Sequence, residues 1–123
     1  MNKKSIMPES EIYSTTHIPY YHKHHIFEGR NRQNSEKYGL FVWLKPELHN
    51  MSNMGVHFNK DFDNYLKKVG QTAFEKHYPD LDFLSIFHRN YKWKVILWYQ
   101  NKWIYLLFVI FFKKTIDNYS FLV

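Results

Sequence analysis

Hydrophobic and polar positions along this chain fall into blocks of different pattern. Residues 1–21 carry Pro8 and Pro19 among small polar residues with no sustained period, which predicts a loosely structured arm that becomes ordered near Tyr20 and Tyr21. A short strand is expected from His22 to Phe27. Glu28 to Ser35 is polar with one glycine, a loop by composition. The run Leu40–Leu44 reads L-F-V-W-L. Periodicity alone does not separate such a continuous apolar run from a buried helix, but its short length and aromatic content favour a strand. Pro46 ends it, because proline has no N–H for a ladder.

A second loop spans Asn50 to Gly55, where Gly55 suits a positive φ. The pattern then changes to helical spacing. Asn59 is a natural N-cap, with Asp61 and Asp63 at the positive end of the dipole. Phe58, Phe62, Leu66, Val69 and Phe74 form one face, while Lys60, Lys67, Lys68 and Lys76 lie mostly on the other. The helix should run to about His77, before Pro79. Asp80 is placed to cap a short final helix carrying Leu81, Leu84 and Phe87. Two strands followed by helices predict an α+β fold.

From Lys92 to Val123 the chain is aromatic and apolar, with Trp93, Trp98, Trp103, Phe108, Phe111 and Phe112 and few acids. Trp103–Phe112 is a ten-residue apolar run, too short to span a bilayer. Extending it back to Val95 places Gln100, Asn101 and Lys102 in the middle, where they are costly. Two readings stay open for this tail. It is either an appended or frame-shifted extension, or an interfacial membrane anchor carried by the aromatics and Lys113-Lys114. The expected organisation is thus an arm over 1–21, a functional domain over 22–91 and a tail over 92–123.

With 123 residues the chain has room for one small domain and a modest core. The net charge of +6 suits a polyanionic partner. No cysteine is present, which excludes disulfides and thiolate zinc sites. The basic start, Met1 to Ser5, lacks a following apolar stretch, so no secretory signal is read and the cytoplasm is expected.

The chemistry concentrates between His22 and His57, which hold five of the eight histidines: His22, His24, His25, His49 and His57. Imidazoles gathered by a hairpin and a helix start can hold a divalent metal, and one left free can act as a base. His24 and His25 are strand neighbours, so they should face opposite sides and divide those two tasks. Strand phase near a bend leaves open which takes which.

The order H-H-I-F-E-G-R-N-R, S-E-K-Y-G-L, an apolar strand, P-E-L-H-N and G-V-H-F, continuing to I-F-H-R-N-Y, resembles the HNH endonucleases, and in particular a small phage and prophage group. The likeness covers roughly Ser5 to Tyr91. It implies a ββα-metal fold and single-metal cleavage of DNA in a bacterial host. By that pattern His25 is the general base, and His24, His49 and His57 are metal ligands. Many members brace the hairpin with zinc-binding cysteine pairs. Here those places carry other residues, so any brace must be apolar packing.

The resemblance implies one divalent ion, with Mg, Mn, Ni and Zn all candidates; imidazole suits the last three better than Mg. The middle asparagine of the pattern is displaced: Asn50 is favoured, with Asn31 and Asn34 as nearby substitutes. Arg30, Arg32 and Lys37 in the polar loop and Lys67 and Lys68 on the helix are candidate phosphate contacts, without base specificity. His22 is a candidate outer partner of the metal site. The function implied is a metal-dependent DNA endonuclease. The alternative is a catalytically degenerate HNH module that binds nucleic acid or a protein partner.

Overall fold

The computed structural model describes residues 3–92. The chain divides into two compact units, Met1–Tyr91 and Lys92–Val123. The expectations for the aromatic tail lie outside the described residues, apart from its first residue, Lys92. Among the described residues no helix is long and apolar enough to cross a membrane.

The first unit is mixed α and β. Strand β1 (His22–His25) pairs antiparallel with β2 (Phe41–Leu44), with His24 opposite Val42 and His25 opposite Phe41. One further bond, from the Ile26 N–H to the Leu40 carbonyl at 3.0 Å, carries the pairing past the strand ends. Ile26, Leu40, Val42 and Leu44 are wholly buried and meet Leu66, Phe74, Phe83 and Phe87 in one core. Burial of these side chains is the main favourable term holding hairpin to helices.

The polar stretch after β1 is not a loop. A 3-10 turn at Gly29–Asn31 leads into helix α1 (Arg32–Tyr38), which Gly39 stops in the left-handed conformation at φ 75°. Composition hid this helix because it buries only Ser35 on its inner side. That hydroxyl accepts from the Phe27 N–H at 3.0 Å and donates to the Phe27 carbonyl at 2.7 Å. Asn31 and Asn34 donate to the carbonyls of Phe87 and Ile86, tying α1 to the last helix. Both asparagines are therefore struts between elements.

After β2, Pro46 is the first residue of a single helical turn, α2 (Pro46–His49), so it both ends the strand and starts a helix. Helix α3 (Lys60–His77) is capped by Asn59 as expected, the cap side chain accepting from the Phe62 N–H at 3.1 Å. Leu66 and Phe74 are buried and Phe62 and Val69 pack on the core, but Phe58 is exposed ahead of the first turn.

The last helix, α4 (Phe83–Phe87), is capped by Asp82, not Asp80, through the Ser85 N–H at 3.2 Å. Shifting the cap by two residues buries the Phe83–Phe87 pair, stacked at 4.5 Å, and leaves Leu81 and Leu84 outside. Two large rings bury more apolar area than two leucines, and that difference selects the register.

The amino-terminal arm is also more ordered than its composition suggests. It runs along β2, bridging at Ser14–Trp43 and bonding Ile6 to Gly39, and it contributes buried Met7 and Tyr13 to the core.

Candidate metal centre

Three elements converge on one set of imidazoles. His24 comes from β1, His49 from the end of α2 and His57 from the loop before α3. One nitrogen from each lies within 4.8 Å of the other two. The eight-residue separation of His49 and His57 is closed by backbone bonds, Val56 to Leu48 at 2.8 Å and His57 to His49 at 3.2 Å. Gly55 permits this closure by lacking a side chain: a Cβ there would stand 2.6 Å from the His49 carbonyl oxygen. Its φ is not positive, so close approach rather than left-handed backbone is what requires glycine.

The ring nitrogens sort into two sets. Nε2 of His49 and Nε2 of His57 face each other at 3.0 Å. Nε2 of His24 is buried with no hydrogen-bond partner. The Nδ1 atoms point elsewhere. That of His49 meets Nδ1 of His22 at 3.1 Å, while those of His24 and His57 lie 3.5 and 3.4 Å from Oε1 of Glu28. Strand alternation explains the grouping, since His22 and His24 share the face that looks toward α2.

The electrostatics keep the His24 and His49 rings neutral. Burial pushes the His24 imidazole down to about 3, helped by the neighbouring His49, His57 and His25 rings and by Lys67. His49 is lowered to about 4, again by burial first and then by His57 and His22. Neutral imidazole is the metal-binding form. A buried acceptor without a donor, beside two further nitrogens aimed at each other, fits a divalent ion. The three histidines could hold one.

His25 does not join this cluster. It points to the other side of β1, where Nε2 lies 2.6 Å from Oε2 of Glu36 on α1. Lys23 binds the other oxygen of that carboxylate at 2.9 Å. Partial burial pushes the Glu36 carboxyl up, but the hydrogen bonds from Lys23 and His25 outweigh it and hold it below its ordinary value. The two histidine environments meet in one cleft of about 320 Å³, walled by His24, His25, His49, His57, Glu28 and Arg32, among others.

The other expected site residues are dispersed. Asn50 caps the end of α2, exposed, with no side-chain hydrogen bond among the described residues. Arg32 lines the cleft, and Arg30 stands exposed in the preceding turn. Lys37 sits over the Tyr38 ring, and Lys67 is paired with Asp63 at 2.7 Å. Lys68 lines a separate, more apolar groove of about 720 Å³ along α3 that contains none of the clustered imidazoles.

Sequence reasoning missed Glu28, Glu36 and Lys23. Glu28 lies four residues beyond His24, and Glu36 only becomes visible once Arg32–Tyr38 is read as a helix. No protein-family model, curated protein or solved structure matches this chain.

Proposed function

We propose that this chain is a small metal-dependent endonuclease of the HNH type, hydrolysing DNA phosphodiester bonds from a ββα-metal arrangement of β1, β2 and α3. One observation carries the reading: the buried, unpartnered Nε2 of His24 beside the facing Nε2 atoms of His49 and His57. Leaving a polar atom buried without a partner costs about 1–3 kcal/mol, and ligation removes that cost. Two nitrogens that each stand about 2.1 Å from a shared ion are roughly 3.0–3.4 Å apart, depending on the coordination angle. The 3.0 Å between His49 and His57 has that spacing.

His24, His49 and His57 are the ligands on this reading. A divalent ion held by them supplies Lewis-acid stabilisation of charge on the phosphoryl and leaving oxygens. Mn, Ni and Zn suit the imidazole set, while Mg is the harder, oxygen-seeking alternative. The rest is done by the chain. His25 hydrogen-bonds Glu36 through Nε2, so Nδ1 keeps the lone pair and takes a proton from the attacking water. Glu36 is held charged by Lys23 and stabilises the imidazolium that results. Arg32, in the cleft wall, and Arg30 beside it are cations for the backbone phosphates. A net charge of +6 favours DNA as the partner. Work inside a bacterial host on behalf of a phage is consistent with the resemblance.

The test is plasmid cleavage by the full-length chain with Mn, Ni, Zn or Mg. Nicking that EDTA stops, and that falls at least about 100-fold in His25→Ala and His49→Ala, is the expected result. DNA retardation without nicking, unchanged by His25→Ala, would overturn it and identify a degenerate binding module.

A further inference from the structure

The ring nitrogens that face away from the shared point are not left to solvent. Those of His24 and His57 converge on a single oxygen, Oε1 of Glu28, at 3.5 and 3.4 Å. We propose that Glu28 is a positioning carboxylate for the metal centre: one oxygen accepts from Nδ1–H of both His24 and His57, and so aims both Nε2 lone pairs at one divalent ion. This rests on the three-histidine reading and adds to it a residue that binds no metal itself.

Four observations support the assignment. First, an imidazole's two nitrogens point apart, so an oxygen beside Nδ1 stands behind the ring as seen from an ion at Nε2. Glu28 is therefore placed to orient rather than to ligate. Second, the close side-chain contacts of the Glu28 carboxylate among the described residues are to these two histidines, even though Arg32 lines the same cleft. A carboxylate that was merely solvating a basic surface would be expected to turn to the guanidinium.

Third, the backbone delivers it. Glu28 is extended at φ −97° and ψ −175°, directly before the chain turns at Gly29 with φ 62°. The turn out of β1 thus drops its side chain beside His24, four residues back, and His57 across the cleft. Fourth, the remaining ligand is served in the same way by a different group, since Nδ1 of His49 meets Nδ1 of His22 at 3.1 Å. All three Nδ1 atoms have an outer partner, which leaves three Nε2 atoms for the ion. A hydrogen bond on the far nitrogen sets the tautomer and raises the basicity of the near one. At 3.5 and 3.4 Å the two contacts are longer than formed hydrogen bonds, and contacts at functional sites commonly tighten when the ligand binds.

The experiment compares metal affinity of full-length wild type, Glu28→Gln, Glu28→Asp and, as a control with the same charge change, Glu47→Gln on α2. Zn²⁺ and Co²⁺ affinities are measured by chelator competition, and the histidine tautomers by long-range ¹H–¹⁵N NMR correlation. Glu28→Gln should bind about 10–100-fold more weakly while Glu47→Gln stays within about twofold of wild type. Wild type should show Nδ1–H tautomers at His24 and His57, and Glu28→Gln a mixture. Glu28→Asp keeps the charge but shortens the reach, and should also bind about 10-fold or more weakly. Unchanged affinity in Glu28→Gln overturns the inference and leaves the three-histidine reading standing. So does weaker binding with both Nδ1–H tautomers intact, which would mark the carboxylate as a ligand or a bulk charge. Failure of wild type to bind either metal sinks both.

Discussion

His24 gives the sharpest test, because the same atom should weaken the empty protein and strengthen the loaded one. Its ring is 2 % exposed and Nε2 has no partner. Replacing it by leucine, of similar bulk, removes an orphaned polar atom worth about 1–3 kcal/mol and adds apolar burial. Lost contact with Glu28 offsets part of this. The metal-free His24→Leu variant should therefore be more stable than wild type by about 1–2 kcal/mol at pH 7.

Acid should widen the gap. The folded ring titrates near 3 against an ordinary 6.5, so between those values the unfolded chain binds the proton and the native chain does not. Stability is level above pH 6.5 and falls as pH drops through that window. At pH 5 the gap of 1.5 units corresponds to about 2 kcal/mol, bringing the variant's advantage to about 3–4 kcal/mol. His49, lowered to about 4 but more exposed, is common to both proteins. The assay is urea unfolding followed by circular dichroism in EDTA at pH 7 and pH 5. Metal at 100 times its Kd should then stabilise wild type by about 2.7 kcal/mol and the variant far less. A metal-free variant less stable than wild type at pH 7, with no wider gap at pH 5, would refute the reasoning.

Glu36→Gln should lower the cleavage rate about 10–100-fold and leave metal affinity within twofold of wild type, since its contact is with His25 and not with the clustered rings. Gly55→Ala drives a Cβ into the His49 carbonyl and should weaken Zn²⁺ binding by about tenfold or more, read by chelator competition, because the loop must open to relieve it. Ser35→Ala strips the buried N–H and carbonyl of Phe27 of their side-chain partner and should cost about 2–4 kcal/mol in urea unfolding. The matched control, exposed Asn50→Ala, should change stability by less than about 0.5 kcal/mol.

What the sequence revealed divides along a physical line. Helix α3 was legible because Leu66 and Phe74 recur at helical spacing behind an asparagine cap. Strand β2 was legible because its side chains are almost all buried, so β formers fill it without alternation. The cluster was legible because histidine is a chemical signal independent of register. Helix α1 was not. Its seven residues carry no apolar stripe: the one fully buried side chain is the Ser35 hydroxyl, and the one ring packed on the core, Tyr38, stands at its last position, which no hydrophobic period records. The two carboxylates that touch the site, Glu28 and Glu36, disappeared with it. The arm escaped for a related reason, since it adds to β2 through a single bridge at Ser14 rather than as a strand.

That hidden helix also answers how the hairpin is braced without cysteine. A zinc-bound cysteine brace would hold the ends of two strands by four thiolates. Here the exit of β1 is held by the Ser35 hydroxyl on both polar groups of Phe27, and α1 is in turn held by Asn31 and Asn34 on the carbonyls of α4. The Phe27 ring packs against Phe83, Phe87 and Tyr91, so the same residue is anchored by backbone and by ring. Such a brace fixes the one segment, Ile26 to Gly29, that must turn sharply enough to bring Glu28 beside His24 while α1 brings Glu36 beside His25. Apolar packing alone is tolerant of small slips in position. Hydrogen bonds to a buried backbone are not, and a cluster whose ligand atoms come from β1, α2 and the loop before α3 has most need of that discipline at the turn where the clustered rings and the His25–Glu36 pair part.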